Sequence, residues 1–271
     1  MTVPKEKVQL KAEQETLLIT LYAKTENVPG GIFFDEKALE IREGIDYDFS
    51  ALHVPMGTRL TLCLRAGKLD ETARDFLGRH PQGVVLHLGC GLDSRFERID
   101  NGKVEWYDLD MPDVIDLRRR FFTESERYHM IASSVTDLGW MQRVAAHGRP
   151  VLVIAEGLMM YLPEQEVKAL VLKLHEEYPG CALAFDAYST QVVKRITAHP
   201  SIQRTGAAIQ WGIDDPTDLE SWADGIHFNE EWFYTQAPEI EKLGFGYRLM
   251  FKISGLFRAA RKAHRILFYT L

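Results

Sequence analysis

Apolar positions change period along the chain, and each change marks an element. Residues 11–23 carry helical spacing, and residues 59–79 carry it over a longer run. In the second, Leu62, Ala66, Leu69, Ala73 and Phe76 recur at steps of four and three, which makes one buried stripe. Gly78 with Pro81 closes that helix. Val84–Leu88 then runs apolar without alternation, as expected of a parallel strand covered on both faces. Val104–Tyr107 is a second strand, and Pro112 sits in the first turn of the helix that follows it. "RYHMIAS" predicts a third strand and "PVLVIAEG" a fourth. Pro163 opens a helix with Val167, Leu170, Val171 and Leu174 on one face, and "CALAFDAYS" is a fifth strand with Ser189 as the next N-cap.

Strand and helix in alternation imply a mostly parallel sheet with helices on both faces. Residues 190–240 break the rhythm: they are polar, carry Trp211, Trp222 and Trp232, and contain a helix start at "DDPTDLESW". "YRLMFKIS" and "AHRILFYTL" then predict two last strands. Their link is too short for a helical crossover, so they should pair antiparallel. The expected architecture is a single α/β domain with a seven-stranded sheet. Residues 1–80 form a helical cap, 81–189 a ligand-binding core, 190–240 an insertion on the substrate side and 241–271 the terminal hairpin.

Charge and cysteine content narrow the setting. The net charge of −7 disfavours a nucleic-acid partner. Arg118, Arg119 and Arg120 form a local basic run, read as a solvated helix face. The cysteines Cys63, Cys90 and Cys181 are odd in number and widely spaced, which fits a reducing compartment without disulfides or structural zinc. The N-terminal segment has no apolar core, and no apolar run is long enough to span a bilayer. The expectation is a cytoplasmic protein with no membrane partner.

The candidate chemistry lies at the strand ends. In "VVLHLGCGLDSR" two glycines follow the first strand, where a tight turn lets a ligand approach the backbone. In doubly wound sheets ligands bind outside the carboxyl ends of the strands. The dinucleotide fingerprint G-x-G-x-x-G lacks its third glycine, since Ser94 stands there. Asp110 ends the second strand about 20 residues beyond the turn, where a carboxylate accepts from ribose hydroxyls. Asp108 competes for that role. Glu156 ends the fourth strand and points toward the same edge. An acidic pocket floor suits a cationic ligand without a pyrophosphate, and S-adenosylmethionine is the candidate. His87, inside the first strand, reads as a hydrogen-bonded core residue.

"LHLGCGLDSR", "WYDLDMPDVIDLRR" and "VLVIAEGLMMYL", in that order, resemble the leucine carboxyl methyltransferase family, in particular its bacterial branch that includes tetracenomycin-type polyketide O-methyltransferases. The resemblance runs from "ETLLITLYAK" to "FDAYS" and implies a class I, Rossmann-like methyltransferase fold using S-adenosylmethionine. It implies that Arg65, with Lys24, binds the methionine carboxylate. Gly89, Cys90 and Gly91 would line the methionine and ribose path, with Asp110 on the ribose hydroxyls and Glu156 at the sulfonium or ammonium end. The family often places an Asp after the third strand for the adenine amine. Here Ser134 holds that place, aided by the backbone of Val135.

The acceptor side carries no motif of its own. There is no H-E-x-x-H, no nucleophile elbow and no metal-ligand set. Tyr161, Tyr188, Trp211 and His227 are the candidate substrate-wall residues, and no general base stands out. The leading expectation is an O-methyltransferase acting on a small-molecule carboxylate or phenol. Methylation of a protein C-terminal carboxylate, a non-catalytic S-adenosylmethionine-binding protein and a nicotinamide oxidoreductase are the alternatives.

Overall fold

The computed structural model describes residues 6–7, 15–25, 28–197 and 209–271. A short parallel ribbon pairs β1 (Glu6–Lys7) with β2 (Ile45–Asp46). The main sheet contains β3 (Val84–Leu88), β4 (Glu105–Asp110), β5 (Tyr128–Ala132), β6 (Val151–Ala155), β7 (Ala182–Tyr188), β8 (His227–Phe233) and β9 (His264–Thr270). Their spatial order is β5-β4-β3-β6-β7-β9-β8. The first five are parallel, and β9 runs antiparallel between β7 and β8. β4 lies on one side of β3 and β6 on the other, so the chain changes direction of winding at β3. That places a crevice at the carboxyl end of β3.

Alternation within each strand builds two cores. Val85, Trp106, Tyr128, Leu152 and Ala184 point to one face, against Leu18 of α1 (Glu15–Thr25), Ile41 of α2 (Glu36–Gly44) and Leu60 and Leu69 of α3 (Met56–Arg79). After β3 come the short helix α4 (Arg95–Ile99) and, after β4, α5 (Pro112–Arg118). Val84, Leu86, Leu88, Val153 and Phe185 point to the other face. There Val167, Leu170, Val171 and Leu174 of α6 (Glu164–Glu177) cover them. The apolar run of β3 is thus explained by cover on both sides. Ser189 caps α7 (Thr190–Thr197) by accepting from the Val192 N–H. Expected residues 11–14 lie outside the described residues.

The expected seven-stranded sheet with an antiparallel pair at its C-terminal end is present, but one strand of that pair is built from other residues than expected. "YRLMFKIS" is not a strand but the middle of α8 (Phe245–Leu256), followed by α9 (Arg258–Lys262). Tyr247, Phe251 and Ser254 face inward at helical spacing, and Phe245, Leu249, Ile253 and Leu256 are exposed. The last strand pairs with β7 on one side and on the other with β8, which lies inside the segment read as an insertion. β8 carries no apolar strand pattern because it is an edge strand with Asn229, Glu230 and Glu231 in its middle. Pairing on one side only leaves such a strand free to be polar. The basic run also divides: Arg119 and Arg120 are exposed, but Arg118 is fully buried. Its guanidinium bonds Asp108, the Tyr128 hydroxyl and the Gly91 carbonyl. All three cysteines are buried thiols, and no helix among the described residues is long and apolar enough to cross a membrane.

Candidate functional site at the carboxyl end of the sheet

The turn after β3 is tied to the end of β4. The Gly89 and Cys90 N–H groups donate to the Leu109 carbonyl at 2.8 and 3.2 Å. Gly89 has φ 64°, a left-handed conformation, and a Cβ there would lie 3.1 Å from Leu158. Glycine is therefore required both by the backbone and by the close approach of the loop after β6. The Gly91 N–H donates to Asp110 Oδ2 at 2.7 Å and the Met111 N–H to Oδ1 at 2.8 Å. These bonds fix the carboxylate at the mouth of the turn. Burial raises its pKa, and the two N–H donors only partly oppose that.

Asp108 is a different group. It is fully buried and bonds Trp106 Nε1, His87 Nδ1, the Tyr128 hydroxyl and Arg118. His87 also contacts Arg95 Nη1 at 3.0 Å, which makes it a core histidine as expected. Of the two acids near the end of β4, Asp110 alone lines the adjoining cavity.

That cavity has a volume of about 320 Å³. Its floor is Gly89 and Asp110; its apolar walls include Leu109, Met111, Val135, Leu158 and Leu162; its polar end holds Ser133 and Ser134. Ser134 Oγ pairs with Thr136 Oγ1 at 2.8 Å. A flat heterocycle between apolar walls, with its sugar hydroxyls on a carboxylate, matches this lining.

Beside the cavity lies a buried charge network. Lys24 Nζ is 3.1 Å from Asp93 and 4.0 Å from Glu156. Arg65 donates from Nε to Glu156 at 3.0 Å and from Nη1 to Asp186 at 2.7 Å. Arg65 Nη2 lies 3.3 Å from where a Cβ on Gly157 would stand, and Gly157 has φ 67°, so the turn after Glu156 wraps the guanidinium closely. Arg95 pairs with Asp70, Asp93 and Glu156, while Arg98 pairs with Asp35, Asp70 and Asp93. Burial alone would raise the Glu156 carboxyl. Lys24, Arg65 and Arg95 outweigh it and hold the group ionised, well below the ordinary range. With Arg74, which reaches Asp70 at 4.0 Å from a more exposed position, the network sets five cations, Lys24, Arg65, Arg74, Arg95 and Arg98, against five carboxylates, Asp35, Asp70, Asp93, Glu156 and Asp186, among the described residues. The charges balance, and Glu156 stays ionised beside the cavity, where it can face a cationic group.

The structure brings the residues expected to meet the cofactor, Lys24, Arg65, Gly89, Cys90, Gly91, Asp110, Ser134, Val135 and Glu156, to this edge of the sheet, and of these Gly89, Asp110, Ser134 and Val135 line the cavity. The expected acceptor-side residues separate. Tyr161 lines the cavity, and Tyr188 stacks on the His264 ring with centroids 4.3 Å apart. Trp211 is corrected: it is buried against Phe185, and its neighbour Gln210 reaches the cavity instead. His227 is corrected too. It is exposed and pairs with Thr270, which lies at the end of β9 beside Ala182, the start of β7. That is the opposite edge of the sheet.

Asp186, Tyr234 and His264, which no sequence motif marks, meet at the same edge of the sheet. Asp186 is fully buried, accepts from the Gly157 N–H at 2.6 Å, and lies 2.8 Å from His264 Nε2. The Tyr234 hydroxyl is 3.2 Å from the same nitrogen. An acid inside the apolar run "ALAFDAY" was the available signal, since it demands a buried partner.

The sequence profile of leucine carboxyl methyltransferases matches residues 38–175. The tetracenomycin polyketide synthesis O-methyltransferase TcmP of Streptomyces glaucescens is 39% identical over 98% of this chain and 99% of its own. An S-adenosyl-L-methionine-dependent methyltransferase, dpfgK, of Gibberella zeae is 31% identical over 86% of each chain. Among solved structures, a duf574 family protein from Streptomyces avermitilis superposes with a TM-score of 0.59 at 12% identity, over 96% of this chain and 99% of that one. The magnesium protoporphyrin IX methyltransferase of Synechocystis PCC 6803, solved with bound SAM, superposes with a TM-score of 0.50 at 12% identity, over 88% and 97%. Both share the fold. The chain belongs to the leucine carboxyl methyltransferase family and is an S-adenosylmethionine-dependent methyltransferase.

Proposed function

We propose that the protein methylates an oxygen, a carboxylate or a phenol, of a small molecule. The observation that carries this reading is the Asp110 cavity opening beside the buried, ionised Glu156 at the same edge of the sheet. S-adenosylmethionine, when bound, supplies a methyl group on a positively charged sulfur. The chain's own residues fit it. Asp110 keeps a lone pair on each oxygen for a ribose hydroxyl, and Ser134 and Val135, which line the same cavity, offer polar groups to an adenine edge. Arg65 presents Nη2, with Lys24 near by, to the amino-acid carboxylate; Glu156 offers a carboxylate to the cationic end. The turn Gly89-Cys90-Gly91 lets the ligand lie on the backbone. The similarity to TcmP over nearly the whole chain supports oxygen as the acceptor atom.

The work left to the protein is alignment and exclusion of water, since a methyl group leaving a sulfonium needs no acid. Apolar Leu158 and Leu162 serve the second purpose. The test is chemical. Protein is incubated with methyl-labelled S-adenosylmethionine and fractionated metabolites, and the product is treated with mild base. Volatile methanol identifies an ester and a stable label on oxygen an ether. A label on nitrogen, carbon or sulfur overturns the reading.

A further inference from the structure

We propose that the outward face of α8, continued by Phe257, is where a second copy of this chain docks, so that the protein is a two-fold dimer. The inference is independent of the methyltransferase reading.

The face is apolar where a helix on the surface of a monomer is ordinarily polar. α8 already covers the core with one side: Phe251 is buried, and Tyr247, Ser254 and Gly255 are half-buried. A Cβ on Gly255 would lie 3.5 Å from Thr235, so the helix sits on the turn Tyr234–Gln236. The opposite side of such a helix carries polar residues when it faces water. Here Phe245, Leu249, Ile253 and Leu256 follow one another at steps of four, four and three, which lines them up as one exposed stripe. Met250 flanks the stripe, and Phe257 extends it to the start of α9. These six side chains are 43–80% exposed, and among the described residues only Phe34 and Met111 are other large apolar side chains left exposed. Single exposed apolar residues are ordinary, but six within one helix and its end form a patch.

Area and charge identify what covers it. Full cover of six partly exposed side chains of this size removes on the order of 600 Å² per protomer. Two copies remove on the order of 1,200 Å² before any rim is counted, which is where specific protein interfaces begin. A stripe with this spacing is also the surface that a second helix of the same kind packs against. The rim carries both signs: Glu241 lies 3.2 Å from Lys252 and 3.7 Å from Arg248. A two-fold axis sets a patch against itself, so a rim of both signs can pair where a rim of one sign would repel. A lipid surface would call for a surplus of Lys and Arg around the stripe. Glu241 answers Arg248 and Lys252, Arg258 and Lys262 act on Asp215, and Arg261 lies over the Phe233 ring. The net charge of −7 further opposes an anionic bilayer.

The location gives the contact a consequence. The turn beneath α8 carries Tyr234, whose hydroxyl meets His264, and His264 meets Asp186. A docked copy therefore presses α8 onto the β7–β9 side of the carboxyl edge.

The test is sedimentation velocity on the full chain from roughly 1 to 100 μM, the range in which the weaker interfaces of this size associate. Twice the chain mass is expected at the upper end. Leu249→Glu combined with Ile253→Glu replaces two exposed residues, so the melting temperature of the dilute protein should hold. The same pair should raise the dimer Kd at least about a hundredfold, because each copy would bury two unpaired charges. Leu256→Met should remain dimeric. Hydrogen exchange on the wild-type protein reads the same contact without any variant: amides of residues 245–257 should exchange more slowly at high concentration than at low. A monomer at every concentration overturns the inference, as does a dimer that the double substitution leaves intact. Exchange at 245–257 that is unchanged by dimerisation overturns it even if the variants fail to fold. A monomer that floats with phosphatidylglycerol vesicles would assign the face to a membrane instead and overturn it as well.

Discussion

Replacing Asp110 by Ala separates ligand binding from folding. The carboxylate takes one backbone N–H on each oxygen, from Gly91 at 2.7 Å and Met111 at 2.8 Å. Each oxygen retains a lone pair for a ribose hydroxyl. Hydrogen bonds to a charged group contribute about 1.5–3 kcal/mol net. Two such bonds do not add fully, because the bound hydroxyls can turn to water in the variant. A loss of about 2–3 kcal/mol in S-adenosylhomocysteine affinity is expected, or roughly 30- to 150-fold in Kd. The orphaned Gly91 and Met111 N–H groups border a cavity that water can enter, so the melting temperature without ligand should fall little. Isothermal calorimetry and a thermal melt on the same preparation provide both numbers. Because burial raises the Asp110 pKa, the wild-type affinity should also decline at a higher pH than an ordinary aspartate would dictate as the solution is acidified. Asp110→Ala should lack that acid limb. A variant that binds within threefold of wild type would refute the assignment of Asp110 to the ribose.

Gly89→Ala must hold a side chain at φ 64° and bring its Cβ to 3.1 Å from Leu158. A cost of about 1–2 kcal/mol in stability is expected from the left-handed backbone alone, with S-adenosylhomocysteine binding impaired as Leu158 shifts; denaturant titration and calorimetry measure the two. His227→Ala should leave turnover and melting temperature unchanged, since the residue is exposed at the far edge of the sheet; a tenfold fall in kcat/KM would show that the edge assignment is wrong.

The readable parts of this protein are those in which one physical demand dominates. β3 must be apolar on both faces because helices cover both, and α3 must carry one stripe because only one face is buried. The meeting of the Gly89 turn with Asp110 was legible because an apolar strand that stops at two glycines marks a tight turn beside the end of its neighbouring strand. The remainder was hidden where two demands overlap. β8 is a strand by pairing but polar by its place at the edge, and α8 alternates apolar residues briefly enough to imitate a strand. Arg118 looked like one of three solvated arginines, yet it answers the buried Asp108. Asp186 and His264 are 78 residues apart and meet only because β9 returns beside β7. No local spacing records that meeting.

Asp108 provides the complementary test to Asp110, because the two sit two residues apart on one strand and do different work. Burial would raise the Asp108 carboxyl, but Arg118 and His87 outweigh it and bring its pKa down to about 2 from the usual 3.8. A carboxyl whose folded pKa lies below its unfolded one stabilises the fold above pH 3.8, and that contribution disappears as the pH falls through about 2. The difference corresponds to about 2 kcal/mol at neutral pH. Asp108→Asn should cost more, about 3–5 kcal/mol, because it strands the fully buried Arg118 without a counter-charge. Asp108→Leu combined with Arg118→Met should recover much of that loss, since removing both charges removes the desolvation penalty as well. Urea unfolding at pH 7 compares the three proteins. Folded Asp108→Asn should still bind S-adenosylhomocysteine far better than Asp110→Ala. If Asp108→Asn costs under about 1 kcal/mol while abolishing binding, the two aspartates have been assigned to each other's roles.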